Sequence, residues 1–117
     1  MKKLIKQVTL KRLNSTQDEI MKRVNNYCKG TKSVYANLVI SDDEFSFTIY
    51  SNISYEELVN KLVAERYTIQ DELAIQRKAY SGLNDEFYIY NAFIEECKVK
   101  AKEFIAERES ALNDTNR

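Results

Sequence analysis

Between Leu4 and Leu13 the chain alternates. Val8 and Leu10 are interleaved with Gln7, Thr9 and Lys11, the two-residue period of a strand with one covered face. Leu4, Ile5, Val8 and Arg12 also fit a helical stripe. The segment breaks at Asn14-Ser15-Thr16, where Thr16 and Glu19 have capping-box spacing. A helix is expected from about Gln17 to Lys29, with Ile20, Met21, Val24, Tyr27 and Cys28 on one face and Gly30 as the left-handed residue that ends it. Ser33–Ile40 and Phe45–Tyr50 then read as a β-hairpin around the polar turn Ser41-Asp42-Asp43-Glu44, with Phe45, Phe47 and Ile49 on its inner face. From Ser54 the period becomes helical. Ser54 with Glu57 and Thr68 with Asp71 open two helices, the first burying Leu58, Val59, Leu62 and Val63, the second carrying Ile69, Leu73 and Ile75. Ser81-Gly82 closes the second. Asn84 or Asp85 starts a long last helix to about Ala111, whose inner face is Phe87, Tyr90, Phe93, Ile94, Cys97, Ala101, Phe104 and Ile105.

The order β-α-β-β-α-α-α predicts an α+β fold: a small antiparallel sheet packed against a C-terminal set of helices ending in one long amphipathic helix. A chain of 117 residues fits a single domain, 1–117, with a sheet-forming part over 1–52 and a helical part over 53–112. No apolar run has the length of a membrane span. The basic start Met1-Lys2-Lys3 is followed by Lys6, Gln7, Lys11 and Arg12 where a signal peptide needs apolar residues, so no secretion is expected. The two cysteines, Cys28 and Cys97, form no CxxC pair and fall on apolar helix faces. They are expected to be buried thiols in a reducing cytoplasm.

Composition narrows the chemistry. The chain has no histidine, so Ser-His-Asp and Cys-His catalysis are excluded and zinc loses its commonest ligand. Two glycines cannot build a Gly-rich phosphate loop. No residue set suggests a cofactor, and a non-enzymatic protein is expected. The acidic turn at Asp42–Glu44 lacks the ligand spacing and central glycine of a calcium loop. Net charge is zero but unevenly spread. Residues 1–33 carry nine Lys/Arg against Asp18 and Glu19, net +7. Residues 34–57 carry five acids and no base, net −5, and the remainder is net −2. Such polarity orients a partner or a second copy.

Two surfaces follow. Among eight tyrosines, Tyr35, Tyr50, Tyr88 and Tyr90 are candidates for a protein-partner surface, with Tyr35 and Tyr50 neighbours on the outer face of the hairpin. Lys11, Arg12, Lys22 and Arg23 are candidates for a nucleic-acid surface, although no recognised RNA- or DNA-binding signature accompanies them. The last helix also carries Glu-to-Lys pairs such as Glu96–Lys100.

The stretch Arg66-Tyr67-Thr68-Ile69-Gln70-Asp71-Glu72-Leu73-Ala74-Ile75-Gln76-Arg77-Lys78, with Glu86-Phe87 and Tyr90-Asn91-Ala92-Phe93-Ile94-Glu95-Glu96-Cys97-Lys98 after it, resembles small uncharacterised proteins of tailed phages and prophages of gut bacteria. The resemblance covers the C-terminal half as a helical hairpin. It implies a phage-encoded, non-enzymatic protein, either a virion component or an accessory factor in the host cytoplasm, and it transfers no active-site residue. The expected role is a protein-interaction or structural component, with a nucleic-acid-binding accessory protein as the alternative.

Overall fold

The computed structural model describes residues 4–115. Its elements are β1 (Ile5–Lys11), α1 (Gln17–Thr31), β2 (Ser33–Ile40), β3 (Glu44–Ser51), α2 (Tyr55–Ala64), α3 (Ile69–Tyr80) and α4 (Asp85–Thr115). The fold is α+β, with the strands in one antiparallel sheet of order β1-β3-β2. The chain divides into two compact units. One comprises the sheet and α1, through Asn52, together with residues 107–115. The other is Ile53–Ala106.

In the sheet unit, alternation sets the covered face. Val8 pairs with Phe47 and Leu10 with Phe45, so all four project to one side, with Ile49. Ile20, Val24 and Cys28 recur every four residues along α1 and complete this core. Leu10, Tyr27, Tyr35, Leu38 and Ile40 pack against it. Tyr27 meets Phe47 edge-on at 5.7 Å, and Phe45 and Phe47 lie stacked at 6.2 Å. Thr16 and Glu19 form the expected capping box at the start of α1.

β2 contains a bulge. Ala36 pairs with Thr48 and Val39 with Ser46, so Asn37 and Leu38 together stand against Phe47. Asn37 adopts a left-handed φ of 59°, which asparagine tolerates better than most residues. The extra residue reverses the alternation. Tyr35 before it and Leu38 and Ile40 after it all reach the core, while Asn37 and Val39 are exposed.

α1 runs two residues beyond its expected end at Lys29. Thr31 Oγ1 donates back to the Tyr27 carbonyl at 2.9 Å, and Lys32, at φ 51°, is the left-handed cap. The next residue, Ser33, is already paired with Ser51, so the helix ends where the strand must begin.

In the helical unit, Ser54 accepts the Glu57 backbone N–H and Ile53, Leu58, Leu62 and Val63 are buried. Thr68 and Asp71 cap α3 reciprocally, and the Thr68 backbone N–H donated to Asp71 holds that carboxyl below the ordinary aspartate range. α3 closes with two bonds: Gly82 N–H to the Ala79 carbonyl at 3.0 Å and Leu83 N–H to the Lys78 carbonyl at 2.8 Å. These are the paired bonds of a Schellman motif, and Gly82 supplies the φ of +92° it needs. The inner face of α4 is as expected. Tyr90, Cys97, Ala101 and Phe104 are buried, and Phe87, Phe93, Ile94 and Ile105 are half-buried. Tyr67 sits edge-on to Tyr90 at 5.1 Å, and the Arg66 guanidinium lies 4.9 Å from the Phe93 ring centre.

The two glycines are opposite cases. Gly82→Ala is expected to cost about 1–2 kcal/mol, because an L side chain at this φ is strained. Gly30→Ala is expected to add up to about 1 kcal/mol, since Gly30 is helical and a Cβ there meets nothing. Urea denaturation of the two variants beside the parent gives both signs.

Candidate functional site: an exposed apolar surface on the helical unit

The four candidate tyrosines do not form one surface. Tyr50 and Tyr90 are buried, Tyr35 is half-buried and only Tyr88 is exposed. Tyr35 and Tyr50 are not neighbours on an outer face. Tyr35 pairs with Ile49 and so shares the core face, whereas Tyr50 pairs with Val34 on the opposite face. Tyr90 belongs to the interior of the helical unit. Burial pushes its phenol up, and the Glu72 carboxylate, which accepts its hydroxyl hydrogen bond, adds to the shift.

The basic candidates divide in the same way. Arg12 and Arg23 are half-buried and hold the β1–α1 turn. Residues Arg12 to Ser15 form a turn closed by Ser15 N–H to the Arg12 carbonyl at 2.9 Å. Leu13 (φ 53°) and Asn14 (φ 60°) are both left-handed, the geometry of a type I′ turn. Arg12 donates from Nε to the Ser15 carbonyl at 3.1 Å and from Nη1 to the Ser41 carbonyl at 3.0 Å, tying this turn to the hairpin tip. Arg23 Nη1 donates to the Arg12 carbonyl and to Ser15 Oγ, and its guanidinium lies over the Phe45 ring at 4.8 Å. Lys11 and Lys22 are exposed. Arg23→Ala is therefore expected to cost about 1–2 kcal/mol, while Lys22→Ala changes stability by less than about 0.5 kcal/mol. Thermal unfolding of the two variants checks this. Equal, small effects would show Arg23 to be a surface residue like Lys22.

What patterning missed lies on α3 and its connection to α4. Of the described large apolar residues that stand exposed, Leu13 and Val39 belong to the sheet unit. Ile69, Leu73, Tyr80, Leu83, Tyr88, Ile89 and Val99 belong to the helical unit. Ile69 is 78% and Tyr80 95% exposed. α3 carries Ile69, Leu73 and Ile75, as the sequence predicts, but divides them between two faces. Only Ile75 is buried. At 3.6 residues per turn, Ile69, Leu73, Gln76 and Tyr80 fall within about 60° of one another, and Ile75 lies well off that stripe. The spacing i, i+4, i+7, i+11 is present in the sequence and is the signal that finds it.

Chemically, these exposed side chains offer apolar and aromatic area on helices that also carry exposed charges. Lys78 pairs with Glu86 at 3.2 Å, and along α4 Lys98 pairs with Glu95 at 3.1 Å and Lys100 with Glu96 at 3.5 Å. Such exposed pairs contribute little to stability. Burial raises both cysteine thiols, at Cys97 more than its neighbouring Lys100 lowers it, so neither is poised as a thiolate. Among the described residues no cluster of acidic and thiol ligands is arranged for a metal ion, and no helix is long and apolar enough to cross a membrane. No family model matches the chain, and no curated protein and no solved structure resembles it at a significant level.

Proposed function

We propose that this chain is a non-enzymatic protein-interaction or structural component that works through the exposed face of its helical unit. The supporting observation is the concentration of exposed apolar side chains from Ile69 to Val99, on helices whose inner faces are already covered. Soluble surfaces seldom gather large apolar residues without a partner for them. The resemblance of Arg66–Lys78 and Tyr90–Lys98 to tailed-phage proteins suggests the setting, a virion or its assembly in the host cytoplasm. Arg12 and Arg23 serve the β1–α1 turn, which leaves the nucleic-acid alternative with Lys11 and Lys22 of its four candidate residues.

The test is a tagged pull-down from native host cells, with and without nuclease, comparing the parent with Tyr80→Asp. Particle proteins recovered regardless of nuclease, and lost with Tyr80→Asp, are the expected result. Recovery that vanishes with nuclease and survives Tyr80→Asp would overturn it in favour of the basic region.

A further inference from the structure

We infer that α3 is a strap: it opens from α4 as a unit while the rest of the fold stays intact, and a hydrogen bond between Glu72 and Tyr90 latches it shut. Such a device is independent of whether the exposed face binds a partner.

The attachment of α3 is thin. α1 buries Ile20, Val24 and Cys28, α2 buries Leu58, Leu62 and Val63, and α4 buries Tyr90, Cys97, Ala101 and Phe104. α3 has 12 residues and buries Ile75 alone. Glu72 and Ala79, three residues before Ile75 and four after it, are half-buried and complete the covered side. One isoleucine, one alanine and one carboxylate therefore hold the helix down. The larger apolar side chains Ile69, Leu73 and Tyr80 lie on the stripe that faces water. A helix of this length is marginal by itself in water, so packing must supply what keeps it formed.

Two polar contacts add to that packing. The Tyr90 hydroxyl donates to the Glu72 carboxylate on the covered side. Tyr90 is 7% exposed, so water competes little for this bond. Lys78 also reaches Glu86 at 3.2 Å, but both side chains are half or more exposed and the pair contributes little. The end caps are local. The Thr68–Asp71 box and the Schellman turn bond only residues from Thr68 to Leu83, so they form and break with the helix. Few buried apolar side chains and backbone bonds close to solvent mark a segment that opens ahead of its surroundings. On opening, Ile75 and the Tyr90 hydroxyl reach water together, and the short helix unwinds rather than swinging out whole.

Amide hydrogen exchange of the full chain, followed by NMR in water and in low urea, tests this directly. Interior amides of α3, Ile75–Ala79, are expected to be at least ~100-fold less protected than those of Cys97–Ala101 and Phe45–Phe47, with a shallower dependence on urea. Tyr90→Phe keeps the ring and removes the latch. It is expected to speed exchange in α3 at least ~5-fold further. Tyr88→Phe, the same change at an exposed position of the same helix, should leave α3 unchanged. Equal protection and equal urea slopes in α3 and α4 would show that the helical unit opens as one, and would overturn the strap. Exchange in α3 that Tyr90→Phe moves no more than Tyr88→Phe would overturn the latch.

Discussion

Phe47→Ala is expected to lower the unfolding free energy by about 3–5 kcal/mol. Phe47 is in the central strand, is 0% exposed, and touches both layers of its unit. It stands opposite Val8 on one neighbour and opposite the Asn37–Leu38 bulge on the other, with Tyr27 of α1 edge-on and Phe45 stacked beside it. Truncation leaves a cavity where strand and helix residues converge from three directions. Small domains have only about 5–15 kcal/mol of stability in total, so the variant should melt far below the parent. Ser46→Ala, one residue away on the other face, should differ from the parent by less than about 1 kcal/mol. Urea denaturation followed by far-UV circular dichroism reads both. A loss at Phe47 no larger than at Ser46 would mean that this aromatic contact does not hold the sheet unit together.

Deleting single residues from the two paired strands should give contrasting results. Removal of Thr48 is expected to abolish cooperative folding. It shifts Ile49 and Tyr50 by one place in a strand paired on both sides, and each side chain then points to the wrong face. Removal of Asn37 is expected to be tolerated. Without it, Leu38 still stands against Phe47, Val39 against Ser46 and Ile40 against Phe45, so every side chain keeps its face. The deletion also removes a left-handed residue. Amide dispersion in NMR spectra separates the cases, and a folded Thr48 deletion or an unfolded Asn37 deletion would contradict the bulge as the device that fixes the register.

Features set by local chemistry were legible in the sequence. The caps at Thr16, Ser54 and Thr68, the glycine closing α3 and the alternation of Phe45, Phe47 and Ile49 all depend on residues within a turn or two of each other. The inner face of α4 was legible because seven turns of regular period leave little ambiguity. What failed depended on pairing. Counted back from Ile40 by strict alternation, Tyr35 falls on the outer face beside Tyr50. The bulge at Asn37 reverses that parity, and one residue in an unusual φ announces itself only weakly. The α1 terminus was misplaced because Gly30 is the residue a cap prefers, whereas the end was set by the pairing of Ser33 with Ser51. The exposed stripe of α3 was missed because a helix with two apolar faces looks like a helix with one broad face until something covers only half of it.

The central position of β3 has a consequence during synthesis. β1 leaves the ribosome first, yet the strand it pairs with begins only at Glu44. At about 5–20 residues per second, β1 waits for seconds as an unpaired strand with Val8 and Leu10 uncovered. Both its edges are open to other nascent chains in that interval, and its lysines become informative. Lys6 and Lys11 flank the apolar pair, and charges so placed discourage edge-to-edge association. The basic character of the N-terminal region thus has a use before the chain has folded at all, as a safeguard for a strand that must be made early and paired late.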